Sequence, residues 1–457
     1  MHRLKIFAAV LILSLASHEA CAAPALSEAA GWLQQYLRID TTNPPGREDR
    51  AAAFLAGVLQ REGIPSRIVK GPGGRANLYA RLSSPRGGGR AVVLLHHMDV
   101  VPAGPGWTVP PFSGQVRDGV LWGRGAVDDK SLGIVQLAAF VDLKRRKTPM
   151  ERDVIYLAVA DEENGGLNGT AWLLAHHPEL FRGVEAVIGE GGRSQIGAGG
   201  KLLWWGIEVA QKRPFWLEVS TSGRGGHGAG LNPESATHLL VQGLARLTTA
   251  PPRWRVDPPA RTYCHAIAPL QNKYWRRIFS TIDSVIAPDG PKEFLMPGMA
   301  NLFLDTVQVT VLRGGQRINV IPEAASAQID VRLLPQTDSA AFLADVKKRL
   351  GPDFQVKVLV SSPPSAPSPA SGRLYKAMET VLKKEGPVVP TFIAGFTDSR
   401  FFREKGIPAY GISPFKLAPE DSRGIHGPDE RISLAELDRG VARMRLILSL
   451  YVSPQAR

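Results

Sequence analysis

The chain has 457 residues, of which 44% are hydrophobic, and it carries a net charge of +13 at pH 7. A chain of this length exceeds one compact hydrophobic core, which predicts two or three lobes. Its basic residues are scattered rather than gathered into one stripe, which argues against a nucleic-acid interface and favours anionic small molecules or surfaces as partners.

The first 22 residues have the pattern of a secretory signal peptide. Two basic residues precede an apolar stretch at 6–16, and small residues surround Cys21, which predicts cleavage near Ala22 and a periplasmic or secreted protein. The alternative is an uncleaved membrane anchor, although the apolar run is shorter than the roughly 18 residues of a span. Loss of Cys21 leaves Cys264 as the sole cysteine, so the mature chain cannot form an internal disulfide.

From residue 23 to 210, apolar strand-like runs alternate with helical patterns. The predicted helices are 27–39, 47–63 and 132–146, and the predicted strands are 75–82, 91–97, 153–160 and 184–190. This alternation predicts an α/β domain with a mostly parallel sheet.

Between 211 and 361 the pattern changes. Strands are predicted at 216–223, 302–315, 326–335 and 354–360, and helices at 233–247 and 338–350. The order predicts a two-layer, ferredoxin-like α+β domain inserted into the first one. A proline- and serine-rich linker at 361–372 follows, and α/β patterning returns over 362–457, with helices at 372–386 and 434–451 and a strand at 407–413.

Ionisable residues cluster where strands end, at the sheet edge where α/β folds bind ligands. The candidates are His97, Asp99, Asp128, Asp129, Glu162, Glu163, Glu190 and His426. One acidic pair at a strand end is as often a helix cap, but four clusters together predict a shared metal site. Nitrogen and carboxylate ligands without a thiolate favour zinc, with cobalt or manganese as alternatives.

Asp99 is two residues beyond His97 on the same strand face, which predicts that it orients that imidazole. His96 lies one residue earlier and points to the opposite face. We therefore expect His96 to be a packed or hydrogen-bonded histidine outside the site.

These motifs resemble those of the M20 family of metallopeptidases and amidohydrolases. The matching stretches lie in family order over nearly the whole chain after the signal pattern. They are "HHMDVVPAGPGWTVPPFSGQVRDGVLWGRGAVDDKS", "ADEENGG", "GEGG", "GRGGHGAG", "GGQRINVIPEAASAQIDVRLLP", "FTDSRFF" and "IHGPDE". The stretches "GWTVPPFSG" and "GRGAVDDK" look most like the carboxypeptidase S and N-acyl amino acid amidohydrolase branch.

The resemblance implies a zinc-peptidase-like catalytic domain with two zinc ions per chain. By this resemblance, His97 and Glu190 bind one ion and Glu163 and His426 bind the other, while Asp128 bridges the two. Glu162 is then the general base. A cis peptide bond is expected at Asp129.

The inserted domain at 211–361 resembles the family's lid and dimerisation domain, so a homodimer is an expectation. His227 matches a histidine that stabilises the oxyanion and often comes from the partner subunit. Asn319 and Arg332 match residues that hold the substrate, and a guanidinium suits a free carboxylate because it pairs bidentately. Thr397 and Asp398 match a loop of the substrate pocket.

The implied reaction is hydrolysis of an amide next to a free carboxylate, in a small peptide or an N-acyl amino acid. Two alternatives remain open at this point. One is an aminopeptidase or dipeptidase of the same family, which needs a site for a free amine. The other is a catalytically dead binding protein on the same fold, which has no reason to retain metal.

Overall fold

The computed structural model describes residues 26–86 and 88–454. The predicted signal peptide at 1–22 lies outside these residues. Among the helices that are described, none has both the length and the apolar character needed to cross a membrane.

The helices of the described residues are numbered in chain order. They are α1 Glu28–Leu37, α2 Glu48–Arg61, α3 Lys130–Arg145, α4 Thr170–His176, α5 Ala236–Thr248, α6 Pro258–Ile267, α7 Lys273–Ser280, α8 Ile282–Val285, α9 Ser339–Leu350, α10 Arg373–Leu382, α11 Ser399–Arg403, α12 Pro419–Ser422 and α13 Leu434–Val452.

The strands are numbered in the same way. They are β1 Ser66–Lys70, β2 Ala76–Leu82, β3 Ala91–His97, β4 Gln115–Arg117, β5 Val120–Trp122, β6 Asp153–Val159, β7 Val184–Gly189, β8 Ser194–Ile196, β9 Leu202–Gln211, β10 Arg213–Ser222, β11 Gly226–His227, β12 Ile286–Ala287, β13 Gly290–Pro291, β14 Thr306–Arg313, β15 Val320–Ile321, β16 Ala324–Leu333, β17 Phe354–Ser361, β18 Val388–Ile393, β19 Ala409–Gly411 and β20 Arg431–Ser433.

The main sheet has the strand order β1-β2-β6-β3-β7-β19-β9-β18, with β8 paired to β9. Its central strands β6, β3, β7 and β19 are parallel, whereas β1 and β2 pair antiparallel at one edge. At the other edge β9 runs antiparallel to β19 and parallel to β18. The α/β class with a mostly parallel sheet at its centre is therefore confirmed.

Strand β3 is buried along its whole length because helices cover both faces of the main sheet. Val92 and Leu94 pack into the apolar cluster on one face, and Val93 and Leu95 pack into the cluster on the other. The same alternation continues to the end of the strand, so His96 and His97 point to opposite faces.

The inserted lobe, which we define as residues 213–248 and 306–361, contains a second sheet formed by β10, β14, β16 and β17, together with α5 and α9. Its antiparallel strand order is β14-β16-β10-β17, and the chain order β10-α5-β14-β16-α9-β17 is ferredoxin-like, as predicted. Leu217, Leu240, Ile329 and Leu350 belong to its core. Asp338 precedes helix α9 as its N-cap residue, and its carboxylate accepts hydrogen bonds from the backbone N–H groups of Ala340 and Ala341.

Helices α6, α7 and α8 form a helical segment between α5 and β14 that the sequence did not predict. Ala260, Cys264 and Phe279 of this segment belong to the same apolar cluster as the β3 residues Val92 and Leu94. This part of 211–361 therefore packs with the main sheet. The proposed domain boundaries at 210 and 361 stay predictions.

Candidate metal centre

His97 is the last residue of β3, and its side chain is buried. Its Nδ1 donates a hydrogen bond to the backbone carbonyl oxygen of Asp99 over 2.9 Å, which fixes the ring. Its Nε2 lies 3.1 Å from Oδ1 of Asp128 and 3.8 Å from Oε1 of Glu190. Since β3 and β7 are parallel neighbours, His97 and Glu190 meet where the two strands end.

Asp128 lies between two histidines. Its Oδ1 faces Nε2 of His97, and its Oδ2 lies 3.1 Å from Nε2 of His426. The same His426 nitrogen is 3.3 Å from Oε2 of Glu163. A carboxylate that presents one oxygen to each of two nitrogen donors has the arrangement of a bridging ligand.

Glu162 and Glu163 lie in a short 3-10 turn after β6, and this turn is held by Asp99. The Asp99 carboxylate accepts hydrogen bonds from the backbone N–H groups of Glu162 and Glu163, each over 3.2 Å, and from Nδ2 of Asn43 over 2.8 Å. Its Oδ1 is 3.7 Å from Nδ1 of His97. Asp99 therefore contacts His97 chiefly through its main chain and the acidic turn through its side chain.

Glu430 is a site-supporting residue that the sequence reasoning missed. Its buried carboxylate accepts hydrogen bonds from the backbone N–H groups of Gly125, Val127 and Asp128 over 2.7 to 2.9 Å, and it pairs with Arg124 over 2.7 Å. These contacts fix the loop that carries Asp128. Glu430 belongs to the "IHGPDE" motif, which is the signal that could have identified it.

Burial and mutual repulsion raise the pKa values of several acids in the centre. Burial raises the pKa values of Glu162 and Glu190 well above the ordinary value, and it also raises the pKa of Glu163. Hydrogen bonds with Asp128 and Glu163 raise the pKa of His426 to about 10. Although burial opposes it, hydrogen bonds from both histidines hold the pKa of Asp128 well below its usual range.

The donor set fits a pair of divalent cations. Ligand atoms of His97, Asp128 and Glu163 lie within 4.8 Å of one another, and the same is true of His97, Asp129 and Glu190. Oε1 of Glu163 and Oδ2 of Asp129 are buried without a hydrogen-bond partner among the described residues, so each has a free acceptor for a cation. The Asp128–Asp129 peptide bond is cis, in agreement with the expectation.

A cavity of about 620 Å³ opens onto this centre. Asp128, Glu190 and His426 form part of its wall, and so does Arg332 from strand β16 of the inserted lobe. The remaining wall is largely apolar. It includes Leu132, Tyr263, Met299, Leu302, Phe392, Phe396, Ile412, Phe415, Leu417 and Ile425.

Two of the predicted substrate residues follow strand β18. Thr397 lines the cavity, and its hydroxyl donates to Oε1 of Gln211 over 3.0 Å. Asp398 lies in a small void beside His97 and Glu162, where it accepts a hydrogen bond from the Thr170 hydroxyl over 2.6 Å. Burial raises the pKa of Asp398 to about 7.

His227 and Asn319 lie together on the inserted lobe, and neither is among the described residues that line the cavity. Strand β11, which ends at His227, pairs with β15, and the Gly228 N–H donates to the carbonyl oxygen of Asn319 over 2.9 Å. Both side chains are exposed. The structure thus brings together the metal-ligand candidates, Glu162, Arg332 and Thr397, but not these two residues.

Comparison with known proteins identifies the family. The family model described as peptidase family M20/M25/M40 matches residues 93–449. The chain belongs to the M20 peptidase family. It is therefore a member of a family of peptidases and amidohydrolases, as the motifs predicted.

Three relatives illustrate the range of M20 activities near this chain. The probable carboxypeptidase S-like 2 of Dictyostelium discoideum is 28% identical, covering 76% of this chain and 68% of the relative. The N-fatty-acyl-amino acid synthase/hydrolase PM20D1 of Bos taurus is 29% identical, covering 75% and 70%. Aminoacylase-1 of Sus scrofa is 28% identical, covering 93% and 95%.

Solved structures share the M20 fold. The M20 family metallo-carboxypeptidase Sso-CP2 from Sulfolobus solfataricus superimposes with a TM-score of 0.73 at 19% identity, covering 93% of this chain and 99% of that one. The Bacillus subtilis YXEP protein, described as a dinuclear metal binding peptidase, superimposes with a TM-score of 0.53 at 15% identity, covering 93% and 99%.

Proposed function

We propose that this protein is an exported di-metal hydrolase that cleaves an amide bond next to a free carboxylate, as a carboxypeptidase or an N-acyl amino acid deacylase. One observation carries the proposal. Arg332 lines the same cavity as Asp128, Glu190 and His426, so one bound molecule can contact both its guanidinium and the candidate metal ligands.

The metal ligands of the proposal are His97 and Glu190 for one ion, Glu163 and His426 for the other, and Asp128 between them. Zinc fits this nitrogen and carboxylate donor set, and cobalt or manganese are alternatives. Divalent ions held there supply Lewis acidity, which polarises a carbonyl group and lowers the pKa of water.

Glu162 is the proposed general base. It is buried next to Glu163, and its raised pKa suits a group that takes a proton from the attacking water and passes it to the leaving amine. Arg332 holds the carboxylate of the substrate, with Thr397 as a further contact in the cavity. Asn319 lies beside His227 outside the described lining, so it would reach the substrate from a partner chain, as His227 would. His227 donates a hydrogen bond to the oxyanion as negative charge develops there.

The apolar wall of the cavity supports an apolar group on the substrate. Met299, Leu302, Phe415 and Leu417 offer hydrocarbon surface that stabilises a buried acyl chain or side chain by about 25 cal/mol per Å². Relatives named as an aminoacylase and as an N-fatty-acyl-amino acid hydrolase are consistent with this substrate class.

The decisive experiment compares three substrate classes on purified protein: N-acyl amino acids, dipeptides and amino-acid anilides. Preferred hydrolysis of the first class supports the proposal. Preference for anilides assigns the chain to the aminopeptidases, and preference for dipeptides with a free amine assigns it to the dipeptidases.

Replacement of Glu162 by Gln should lower kcat by about 10²- to 10⁴-fold with metal retained.

A metal assay separates an active enzyme from a dead relative. Protein purified without chelator should contain about two divalent ions per chain by mass spectrometry. A metal-free preparation that also fails to take up zinc on dialysis would refute the di-metal proposal. Removal of the metal from an active preparation should abolish hydrolysis, and added zinc should restore it.

Dimerisation and export are further parts of the proposal. His227 is exposed on the inserted lobe, as are the apolar side chains of Leu231 and Ile318 in the neighbouring loops, and contact with a second chain would cover them. Export rests on the signal pattern of the first 22 residues. Mass determination of the N-terminus after expression with that segment tests whether it is removed.

A further inference from the structure

Phe396 lies between the two lobes, and its ring contacts two guanidinium groups. The Cζ atom of Arg332, from the inserted lobe, is 4.4 Å from the centre of the ring, and the Cζ atom of Arg400, from α11, is 4.6 Å from it. Trp216 of β10 packs edge-on against the same ring, with 5.8 Å between ring centres. An aromatic ring attracts cations through its electron-rich faces.

Arg400 ties this ring to the acidic turn. Its side chain is buried, and it donates hydrogen bonds to the carbonyl oxygens of Gly165 and Thr397. Gly165 directly follows the turn that carries Glu162, and a Cβ atom at Gly165 would lie 3.7 Å from the Trp216 ring. The inserted lobe and the acidic turn are therefore in contact beside Phe396.

Arg332 is held on a second side by its own strand. Its Nε and Nη2 donate to the two carboxylate oxygens of Asp330 over 2.6 and 2.7 Å, and Nε1 of Trp216 donates to the same carboxylate over 2.9 Å. Its Nη1 has no hydrogen-bond partner among the described residues. That end of the guanidinium is therefore available to a ligand in the cavity.

We propose that Phe396 and Arg400 are positioning residues that hold the guanidinium of Arg332 in place, with its Nη1 end free to receive the carboxylate of the substrate. The inference rests on the proposed function. Phe396 supplies the ring on which the guanidinium lies, and Arg400 fixes Phe396 relative to the acidic turn.

Fixing the Arg332 guanidinium before the substrate arrives should increase the affinity for the substrate. An arginine side chain loses considerable rotational freedom when it is fixed by a ligand, so a protein that fixes it beforehand binds the ligand more tightly. Asp330 restrains one edge of the guanidinium and Phe396 restrains its plane. Removal of the ring should therefore weaken substrate binding and leave the chemical step largely unchanged.

The test replaces Phe396 by Leu, which keeps an apolar side chain and removes the ring, and by Tyr, which keeps the ring. For an N-acyl amino acid, Phe396→Leu should raise KM about tenfold with kcat within about twofold, and Phe396→Tyr should restore KM. In an Arg332→Gln background, Phe396→Leu should add little further increase because both variants remove the same contact. Fully multiplicative effects on KM would overturn the proposal.

A structural measurement separates failure of this inference from failure of the proposed function. In a crystal structure of the Phe396→Leu variant, the Arg332 guanidinium should leave its position over residue 396, whatever substrate the enzyme uses. An unmoved guanidinium would overturn the inference even if N-acyl amino acids are good substrates. If no carboxylate substrate is hydrolysed but the guanidinium moves, the proposed function fails and the positioning role stands.

Discussion

At the scale of single residues, His426 can bind a metal ion only after its imidazole loses a proton. Hydrogen bonds with Asp128 and Glu163 raise its pKa to about 10, whereas a metal ligand must be the neutral imidazole. Binding of a divalent ion at neutral pH therefore has to displace this proton. The histidine thus links metal affinity to pH.

The prediction is that zinc affinity rises with pH between about 6 and 8, by about tenfold per pH unit for each proton released. Because the folded pKa of His426 is raised, the protonated group stabilises the metal-free fold fully below its unfolded value of 6.5, and this contribution is lost as pH rises through about 10. Calorimetric titration in buffers of different ionisation enthalpy measures the released protons. A pH-independent affinity without proton release would contradict the assignment of His426 as a ligand.

Glu430 should control metal affinity without contacting the metal. In the wild-type chain, backbone N–H groups of the Asp128 loop donate to the Glu430 carboxylate. In Glu430→Gln, an amide NH₂ group faces these donors, so the loop loses some of the hydrogen bonds that fix it. We expect zinc affinity to fall about 10- to 100-fold, measured by competition with a chromogenic chelator. Glu420→Gln, at an exposed acid of helix α12, is the matched control and should bind zinc normally. Equal affinities of the two variants would refute the role of Glu430.

The same residues show how far sequence could predict the site. The metal-ligand candidates stood out because their residue types are unusual at the ends of apolar strands, and the family motifs assigned roles to them. Glu430 and Asn43 were missed because their importance depends on partners far away in the chain. The contact between Glu430 and the Asp128 backbone spans 302 positions, so the motif "IHGPDE" marks Glu430 as a candidate but does not show which backbone groups it contacts.

At the scale of elements, helix α3 approaches strand β3 closely at Gly133. A Cβ atom at Gly133 would lie 2.2 Å from the ring of His96, which is buried and packed against Tyr156. The expectation that His96 is a packed residue is confirmed, and its position outside the site stays a prediction. Its ring fills the space that a glycine leaves between helix and strand.

Gly133→Ala should therefore lower the free energy of unfolding by about 1 to 3 kcal/mol, because the new methyl group forces His96 or helix α3 to move. Gly57→Ala in α2 is the matched control, since the nearest atom to its Cβ would be the flexible Arg61 side chain at 3.7 Å. That variant should be neutral or gain up to about 1 kcal/mol from helix propensity. Thermal unfolding of both variants measures the difference, and equal midpoints would contradict the tight contact.

Strands and helices with long, continuous hydrophobic patterns were predicted well, whereas short or interrupted ones were missed. Strand β3 was predicted with its observed ends, and α13 was predicted to within a residue. Strand β9 was missed because glycine interrupts "LLWWGIEVAQ" and its partner β18 lies far along the chain. Helices α6 to α8 were missed because each is short and depends on tertiary packing for its stability.

At the scale of the whole molecule, the first and last chain crossings between the lobes are joined by a hydrogen bond. Arg213, which follows the first crossing, donates to the carbonyl oxygen of Ser362 in the second over 2.7 Å. The Pro/Ser-rich linker is also bound to the main sheet, because Ser368 donates to the carbonyl oxygens of Val209 and Ala409 over 2.8 and 2.6 Å. A segment that composition describes as a spacer is therefore anchored along part of its length.

The position of His227 leads to a prediction about the assembly. In one chain this histidine lies outside the described lining of the cavity, yet the family resemblance assigns it to the oxyanion. A dimer formed through the inserted lobes reconciles the two if His227 of each chain reaches the cavity of its partner, while Arg332 stays in the cavity of its own chain. In such a dimer, His227 and Glu162 of one active site come from different chains.

Mixing two inactive variants should then restore activity. When His227→Ala and Glu162→Gln chains are co-expressed, half of the dimers are mixed, and each mixed dimer has one site with both residues intact, so about a quarter of wild-type activity is expected. Glu162→Gln mixed with Glu190→Gln is the control and should stay inactive, because both residues belong to the same site within one chain. Tagged chains purified in two steps measure the mixed dimer directly. A mixed dimer without activity, or a monomer that retains full activity, would show that His227 does not act across subunits.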